Sequence, residues 1–587
     1  MTSLCLLLLP IAFDCALPQG PAPSIEAPAR AVARAVLVLP TGGLLSLQPA
    51  LHAPIFGLQN ASPKAPFLDL LNGTMDGHNQ EGLRFLEPDT LVTLLRAATG
   101  SGTSDPALTI DVVGERLLAS GPPDLVDLAR RRLVALSEQV GRPIQLQAEL
   151  YQLTEKTPPV PAVLGPEQLA EVARTLVPTW RTASSVRPGM RARLGLTREV
   201  RYVGGIGVEV AQKARIGDPL IETAHLGTAV LVEAHLLAGS PDLVLFAQMS
   251  HAELVGEIGS QATGATILPS IDTPILRSVC GGFSGRVPDG GGLAITIAGE
   301  GDFQRLLILR ASSGAPARDL DKIATLPISA LTSPALSRLV EGLEHFPVTD
   351  PGAPEGDPVA PIFELDVLRN VIASAFGANN VPTDLEFTNR FVAAPPDSDS
   401  AKKTQAMLRT LEDQLLRNTQ LEVAIGQAQD LESARGRSAG TLPRSLRLPM
   451  LVGFQHPFIF GTEARALVDF EVEIAQEAVI LSPVVVTTFR GITVMARALE
   501  RGSGACGLEA RLVVSNGGTP TRRPIEGLEG GELQRTDVER AVFTYQNPLP
   551  TSGVIECGDG PRLGTGERLG MSRPTLTLTE LGRNTAR

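Results

Sequence analysis

Helical and strand-like hydrophobic patterns alternate in the first part of the chain. Apolar residues recur every three or four positions within 85–100 and over 123–140, and we predict a helix in each segment. Strand-like runs lie at 108–113, 116–121 and 143–153, bounded by turn residues. This order of elements predicts a small module in which helices pack on a short sheet.

A strand-dominated region follows the module, from about 190 to 299, with Gly, Pro and Asp turns between its strands. One face of the strand at 228–237 carries only apolar residues: Val230, Val232, Ala234 and Leu236. We therefore expect that strand to be at least half buried.

The same succession returns in the second half of the chain. Residues 202–234 align with residues 466–498 without a gap, at a constant offset of 264, and eleven of the 27 positions from 208 to 234 are identical. Residues 361–427 repeat the order of helices and strands of the small module. We interpret the chain as a tandem duplication.

The predicted fold class is α+β, a tandem repeat of the helix-on-sheet module followed by a β-rich domain. In chain order, the predicted segments are 1–17 signal peptide, 18–82 linker and poorly defined N-terminal region, 83–155 module copy 1, 178–312 β domain copy 1, 313–360 linker, 361–430 module copy 2, and 440–587 β domain copy 2, whose C-terminal part is degenerate.

Composition supports a chain of short strands and many turns. Aromatic residues make up 4% of the 587 residues, with one Trp and three Tyr, beside 58 Gly and 47 Pro. The net charge is −12, and Lys and Arg form no run alternating with aromatics. A nucleic-acid partner is disfavoured, because phosphate binding needs a clustered positive surface.

The apolar run at 4–13 is too short to span a bilayer but has the length of the apolar core of a secretory signal. A buried N-terminal strand or a wrongly assigned start are the alternatives. Export would remove Cys5 and Cys15; Cys506 and Cys557 could then pair in an oxidising compartment, which would leave Cys280 odd.

The sequence offers no catalytic, cofactor-binding or metal-binding residues that we would assign. The segment GSGACG at 502–507 has the dinucleotide pattern but lies between two strand-like runs, and we interpret it as a hairpin turn. His225, His235 and His251 lack the spacing of a metal site, so we expect them to be structural or exposed. We predict a protein without enzymatic activity.

Several segments, taken in order, resemble the bacterial secretins, the outer-membrane ring proteins of type II and type III secretion and type IV pilus systems. RLLASGPPDLVDLARRRLVALSEQVGRPIQLQAELYQL (116–153) resembles the last ring-building domain and the strand after it. LVGFQHPFIF (451–460) and RPGMRARLGLTREVRYV (187–203) are similar to the strands around the family's Gly-Gln…Pro-Tyr segment. LGTAVLVEAHLLAGSPDLVLFAQM (226–249) resembles its glycine-led strand pair, and VPDGGGLAITIAG (287–299) its Asp-Gly turn and last strand.

Ten positions are candidates for structural roles in the repeats: Glu209, Gln212, Pro219, Gly227, Asp289, Gly290, Glu473, Gln476, Pro483 and Gly491. We interpret the repeated Glu and Gln as a structural hydrogen bond or a ring contact rather than a functional carboxylate. The prolines are expected at strand starts or edges. The two repeated glycines are expected to permit a bend or bulge before the long strand.

The resemblance implies a homo-oligomeric ring or channel in the cell envelope, in the outer membrane or periplasm, that takes part in protein secretion or transport with other secretion-system proteins. It implies no small-molecule substrate and no cofactor. The alternative is a soluble periplasmic or envelope scaffold, in which secretin-like domains serve as interaction modules and no pore forms. Scarce aromatics favour this alternative, while the retained strand order favours the pore.

Overall fold

The structure is a computed structural model. It describes residues 34–41, 44–45, 47–48, 58, 83–98, 108–114, 116–154, 157–211, 214–263, 270–299, 303–314, 324–332, 362–377, 382, 384–395, 398–425, 445–475, 478–500, 506–517, 521–524, 532–535, 538–548, 554–556 and 574–580. The predicted signal peptide at 1–17 lies outside these residues, as do Cys5, Cys15 and Cys557.

The first half of the chain contains strands β1 to β17 and helices α1 to α4. Their bounds are β1 Ala35–Pro40, β2 Leu47–Gln48, β3 Leu83–Arg84, α1 Pro88–Ala98, β4 Thr109–Val113, β5 Arg116–Gly121, α2 Pro123–Val140, β6 Ile144–Gln152, β7 Val163–Leu164, α3 Pro166–Thr175, β8 Pro178–Val186, β9 Arg191–Ala211, β10 Ala214–Leu236, β11 Leu243–Leu254, β12 Gly259–Ala262, β13 Ser270–Thr273, β14 Ile275–Val287, β15 Gly292–Ala298, β16 Gln304–Ser313, β17 Ala324–Pro327 and α4 Ser329–Thr332.

The second half contains the remaining elements. They are α5 Leu365–Ala375, β18 Glu386–Phe387, β19 Phe391–Ala394, α6 Asp399–Leu415, β20 Asn418–Ile425, β21 Ser445–Leu451, β22 Gln455–Ala475, β23 Ala478–Glu500, β24 Cys506–Gly517, β25 Thr521–Pro524, β26 Glu532–Arg535, β27 Val538–Pro548, β28 Val554–Glu556 and β29 Pro574–Glu580. Within the described part of the chain, no helix is both long and apolar enough to cross a membrane.

Each small module is a three-stranded sheet with two helices packed against it. In the first module the strand order is β1-β5-β4, and α2 buries its apolar stripe against the sheet. In the second it is β17-β19-β18, with α5 and α6. Strands β1 and β17 come from segments predicted to be poorly defined or a linker. Each adds an edge to its module that short-range periodicity did not indicate.

The β-rich regions of the two halves form two shared sheets instead of separate domains. One sheet has eight strands in the order β27-β24-β23-β22-β14-β11-β10-β9. The other runs β28-β29-β20-β21-β15-β16-β6-β8, with β7 pairing β15 at the side. Every pairing in both sheets is antiparallel.

The main hydrophobic core includes buried residues of both large sheets. Val230 and Val279 of the eight-stranded sheet belong to the same core as Ile295, Leu309 and Leu421 of the other sheet. Strands with both faces covered carry continuous apolar runs, which explains why β15 is buried at every position.

The two long hairpins of the eight-stranded sheet have the same dimensions. Strands β9 and β22 each have 21 residues, and β10 and β23 each have 23. Each hairpin has one irregularity of register, opposite Leu220/Ile221 in the first and between Leu467 and Asp469 in the second. The unpaired residues are Gly204 and Val468, which differ by the offset of 264 found in the sequence.

Candidate assembly surface

Two equivalent turns carry the chain from one large sheet to the other. Gly189 lies between β8 and β9 with φ +70°, and Gly453 lies between β21 and β22 with φ +88°. The Gly189 N–H donates to Ala234 O and the Gly453 N–H to Ala498 O, each at 2.7 Å. Positive φ favours glycine at both positions, so both halves change sheet at the same place and by the same bond.

Gly227 and Gly491 lie inside the long strands β10 and β23 rather than before them, and neither is at the bulge. Gly227 has φ +120°, and a Cβ there would lie 2.1 Å from Leu196 O. At Gly491 a Cβ would lie 2.2 Å from Phe460 O. These glycines therefore allow close approach of the neighbouring strand, while the bulge at Gly204 lies nearer the hairpin tip.

The two repeated prolines lie within long strands where these have one partner only. Pro219 of β10 pairs with Ile206 of β9, but β10 pairs with β11 only from Gly227 onward. Pro483 of β23 is placed in the same way, because β24 pairs with β23 only from Gly491 onward. Each proline therefore occupies a local sheet edge, where a missing N–H need not interrupt a ladder.

Asp289 and Gly290 form the turn that joins β14 to β15 and so also connects the two sheets. The Asp289 carboxylate accepts hydrogen bonds from Ser313 N at 2.7 Å and Ser313 Oγ at 2.8 Å. Gly290 has φ +76° and donates its N–H to Ala311 O at 3.0 Å. This turn therefore secures the C-terminal end of β16.

The repeated Glu positions lie near the tips of the long hairpins, remote from these turns. Glu209 pairs with Ile216 in the first hairpin, and Glu473 with Ile480 in the second. Gln212 and Gln476 lie outside the described residues. The eight described candidate positions thus mark hairpin tips, strand middles and turns, and they do not converge on one site.

The feature that sequence reasoning missed is the junction between the halves, where β14 pairs with β22. Seven residue pairs run from Ile275↔Ala464 to Gly281↔Phe458. A Cβ on Gly281 would lie 2.2 Å from Phe458 Cδ2, so the absent side chain makes room for the phenyl ring. A second junction joins β15 to β21 in the other sheet, over Thr296–Ala298 and Ser445–Arg447.

Buried polar and aromatic contacts reinforce the first junction. The Glu463 carboxylate is fully buried and accepts hydrogen bonds from Ser278 Oγ and from Leu58 N, the latter at 2.8 Å. Phe460 stacks on Phe303 with 5.9 Å between ring centroids. A buried carboxylate with satisfied oxygens fixes the position of its partners, so the junction is a specific interface.

Polar contacts also hold the second module against the sheets. Arg286 at the end of β14 donates to Asp242 and to Asp413 of α6, both at 2.8 Å. The Glu412 carboxylate of α6 accepts from Ala238 N at 2.8 Å and Gly239 N at 3.2 Å. Burial raises the pKa of Glu412 to about 7, against the opposing effect of these two N–H groups.

Three of the described histidines, His235, His251 and His456, are buried and hydrogen-bonded, whereas His225 is partly exposed. His235 Nδ1 lies 2.9 Å from Ser329 Oγ, and His251 Nδ1 lies 2.8 Å from Thr228 Oγ1. His456 Nε2 lies 2.9 Å from Ser284 Oγ, and burial lowers the pKa of this histidine to about 3. Among the described residues, no group of three or more His, Cys, Asp or Glu could hold a metal ion.

Strands β23 and β24 pair antiparallel down to Glu500↔Cys506, on either side of residues 501–505. The GSGACG segment thus connects two adjacent antiparallel strands, as predicted for a hairpin. A dinucleotide site would require a helix after the glycines.

Comparison with known proteins gives structural relatives only. No family model and no curated protein matches the chain. Similar solved structures include the Salmonella SPI-1 type III secretion injectisome secretin InvG, with 10% identity, coverage of 48% of this chain and 88% of that chain, and a TM-score of 0.22. The V. cholerae type IV competence pilus secretin PilQ has 10% identity, coverage of 39% and 76%, and a TM-score of 0.18.

The secretin GspD of ETEC, solved with its pilotin AspS, has 11% identity, coverage of 48% and 75%, and a TM-score of 0.18. These three similar structures are all secretins. Because the TM-scores and identities are low, the function proposed below rests on the strand order and contacts of this chain and on its sequence pattern.

Proposed function

We propose that the chain is a secretin-like subunit of an oligomeric ring or channel in a bacterial cell envelope, serving a protein secretion or pilus system. It acts as a structural component without catalysis. The observation that carries the proposal is the pair of shared sheets, in which two similar sets of strands stand side by side and no described strand pairs with either outer edge.

The similar sets of strands support a tandem duplication as the origin of the chain. The hairpins β9–β10 and β22–β23 match in length, and their bulges at Gly204 and Val468 differ by the sequence offset of 264. The turns at Gly189 and Gly453 make equivalent hydrogen bonds. A bulge and a turn bond are set by local chain geometry, and their recurrence at one offset is expected of duplicated units.

Open sheet edges support assembly. Strand β9 has 21 residues and lies at one end of the eight-stranded sheet, with its second edge unpaired by any described strand. A long exposed edge is a template for pairing with another chain unless it is covered or closed. Closing both large sheets through further copies would pair the outer edges of these two sheets, which is the ring arrangement that the secretin-like sequence pattern implies.

The proposal is tested by locating and sizing the full-length protein in a bacterial host that has an outer membrane. Membrane and soluble fractions are extracted separately, the former in mild detergent, and each is measured by light scattering and negative-stain imaging. Large rings confined to the membrane fraction would support the proposal. A monomer or small oligomer confined to the soluble fraction would overturn it.

The scaffold alternative is favoured by the positions of the large aromatic residues. Proteins that cross an outer membrane with strands carry belts of Tyr and Trp at the interfaces. Here Tyr151 and Tyr202 are buried, and Trp180 lies on β8 at the edge of the second sheet. The soluble outcome of the same fractionation would favour a periplasmic scaffold that keeps the strand order and forms no pore.

A further inference from the structure

We propose that β9 of one copy pairs antiparallel with β27 of the next copy, in the register of the internal β14·β22 junction, so that each chain supplies two adjacent repeats to one continuous sheet. This inference rests on the proposed function and deepens it by naming the contact and its register. Its occupant is a second copy of this chain.

The register follows from positions that are equivalent in the two halves. Across the first half, Gly227 pairs with Ala252, and Ala252 pairs with Ser278 of β14. Across the second half, Gly491 pairs with Ser515, and Ser515 pairs with Arg540 of β27. Because Gly227 and Gly491 are equivalent, Ser278 and Arg540 occupy the same place in their strands.

The other partner is found in the same way. Ser278 pairs with Gly461 of β22 at the internal junction. Gly461 pairs with Gly491, just as Thr197 of β9 pairs with Gly227. Thr197 is therefore the β9 equivalent of Gly461, and the junction between copies should pair Thr197 with Arg540 of the next copy.

Residues of β22 are buried at the internal junction, whereas the equivalent residues of β9 are exposed, as expected if β9 meets a second copy. Five residues of β22 are buried at the internal junction: Pro457, Ile459, Phe460, Gly461 and Glu463. Their five equivalents on β9 are all exposed: Arg193, Gly195, Leu196, Thr197 and Glu199. Phe460 is 6% exposed, whereas Leu196 is 62% exposed. The open edge of β9 therefore presents a surface that is covered wherever its equivalent meets a neighbouring repeat.

Charge supports this register over a neighbouring one. By register, the proposed pairing sets Arg198 opposite Glu539 and Glu199 diagonal to Arg540, so residues of opposite charge occupy both pairs of positions. A slip of one residue would instead set Arg198 against Arg540 and Glu199 against Glu539. Like charges directly opposite each other destabilise a strand pair, and the slip would also reverse the faces of the strand.

The second large sheet has the same order of halves from one end to the other as the eight-stranded sheet. Its internal junction joins β21 of the second half to β15 of the first, and its end strands are β8 of the first half and β28 of the second. Both sheets thus expose the first half at one end and the second half at the other. Such a head-to-tail contact uses two different surfaces and forms a ring when the rotation closes.

The test is disulfide crosslinking of the full-length protein extracted from membranes in mild detergent. The double variant Thr197→Cys with Arg540→Cys places two thiols on predicted partners, whose Cα atoms should lie roughly 4.5–5.5 Å apart. The matched control, Thr197→Cys with Val542→Cys, is out of register by two residues on the same face. Its Cα atoms should lie at roughly 7–8 Å, at or beyond the reach of a disulfide.

After mild oxidation, non-reducing gels should show a ladder of dimers, trimers and higher species for the in-register variant, with most of the monomer lost. The control and the parent chain should remain largely monomeric on the gel. Each variant with only one of the two added cysteines should also remain monomeric, whereas a mixture of the two should give dimers only, because a head-to-tail contact uses one added cysteine from each surface.

Three results would overturn the inference. They are rings in which the in-register variant does not crosslink, equal crosslinking in the control, and dimers from Thr197→Cys alone, which would indicate that two β9 edges meet. In each of these cases the rings themselves remain visible by negative-stain imaging, and the proposed function stands. Absence of rings from the membrane fraction would overturn both.

Discussion

Replacement of Gly227 by Ala should destabilise the protein by forcing β9 and β10 apart. The added Cβ would lie 2.1 Å from Leu196 O, 3.1 Å from Leu196 C and 3.2 Å from Thr197 Cα, all backbone atoms that a side-chain rotation cannot move. The backbone φ of +120° also lies where residues other than glycine are strained.

The magnitude follows from these two effects and an opposing one. Strain in a sparsely populated backbone region costs about 1–3 kcal/mol, and overpacking against fixed atoms costs about 1–3 kcal/mol more. Alanine also lowers the conformational entropy of the unfolded chain, which offsets about 0.4–1 kcal/mol of this destabilisation. The free energy of unfolding should therefore fall by roughly 1–5.5 kcal/mol, at its upper end a large share of the stability of an ordinary domain.

Gly205→Ala is the matched control on the same hairpin. A Cβ there meets Leu220 Cδ1 at 3.6 Å, an ordinary contact, and the residue is not among the described glycines with positive φ. We expect this variant to be unchanged or stabilised by about 0.4–1 kcal/mol. Both variants and the parent are compared by urea unfolding followed by far-ultraviolet circular dichroism. If Gly227→Ala matched the parent, or lost no more than Gly205→Ala, the close approach described at this glycine would be refuted.

Three further predictions concern single side chains. Because the pKa of Glu412 is raised from 4.5 to about 7, its contribution to stability is present below about pH 4.5 and lost as the pH rises through 7. Glu412→Gln should abolish that loss, on the order of 3 kcal/mol, in urea unfolding across this window; an unchanged slope would contradict it. Asp289→Ala should lower the free energy of unfolding by about 1–3 kcal/mol, because Ser313 N loses its acceptor, and Asp289→Asn should lower it less. Equal losses would exclude this role. Arg198→Glu should lower the temperature at which rings dissociate on gels, and adding Glu539→Lys should restore it; absence of rescue would argue against this pair.

The local elements were largely predictable from the sequence because their signals are local. The apolar spacing of 123–140 predicted α2 over Pro123–Val140, and the alternation at 143–153 predicted β6 over Ile144–Gln152. The helix predicted within 85–100 is α1, from Pro88 to Ala98. Each depends on spacing within one or two turns of chain.

Long-range pairing could not be predicted in this way. At the β14·β22 junction, Ser278 pairs with Gly461 and donates a hydrogen bond to Glu463, although these residues are far apart in sequence. The local sequence of neither strand identifies the strand with which it pairs. Glu233 and His235 alternate with the apolar residues of the strand at 228–237, which was expected to be at least half buried, and both are buried. His235 contacts Ser329, which lies in a segment predicted to be a linker.

The repeated glycines show a similar limit. Their recurrence predicts a bend or bulge before the long strand, whereas both glycines lie inside β10 and β23 beside a close backbone neighbour. A bend, a bulge and a close approach all exclude a Cβ, and only the position of Leu196 O beside Gly227 and of Phe460 O beside Gly491 distinguishes them.

The most direct test of the central claim is to image the membrane-extracted particles and to count chains and repeats in the same sample. If each chain supplies two adjacent repeats, averaged views down the ring should show twice as many repeats as there are chains, with the chain number taken from the particle mass. Rings with equal numbers of repeats and chains, or soluble monomers with no rings in the membrane fraction, would contradict the account.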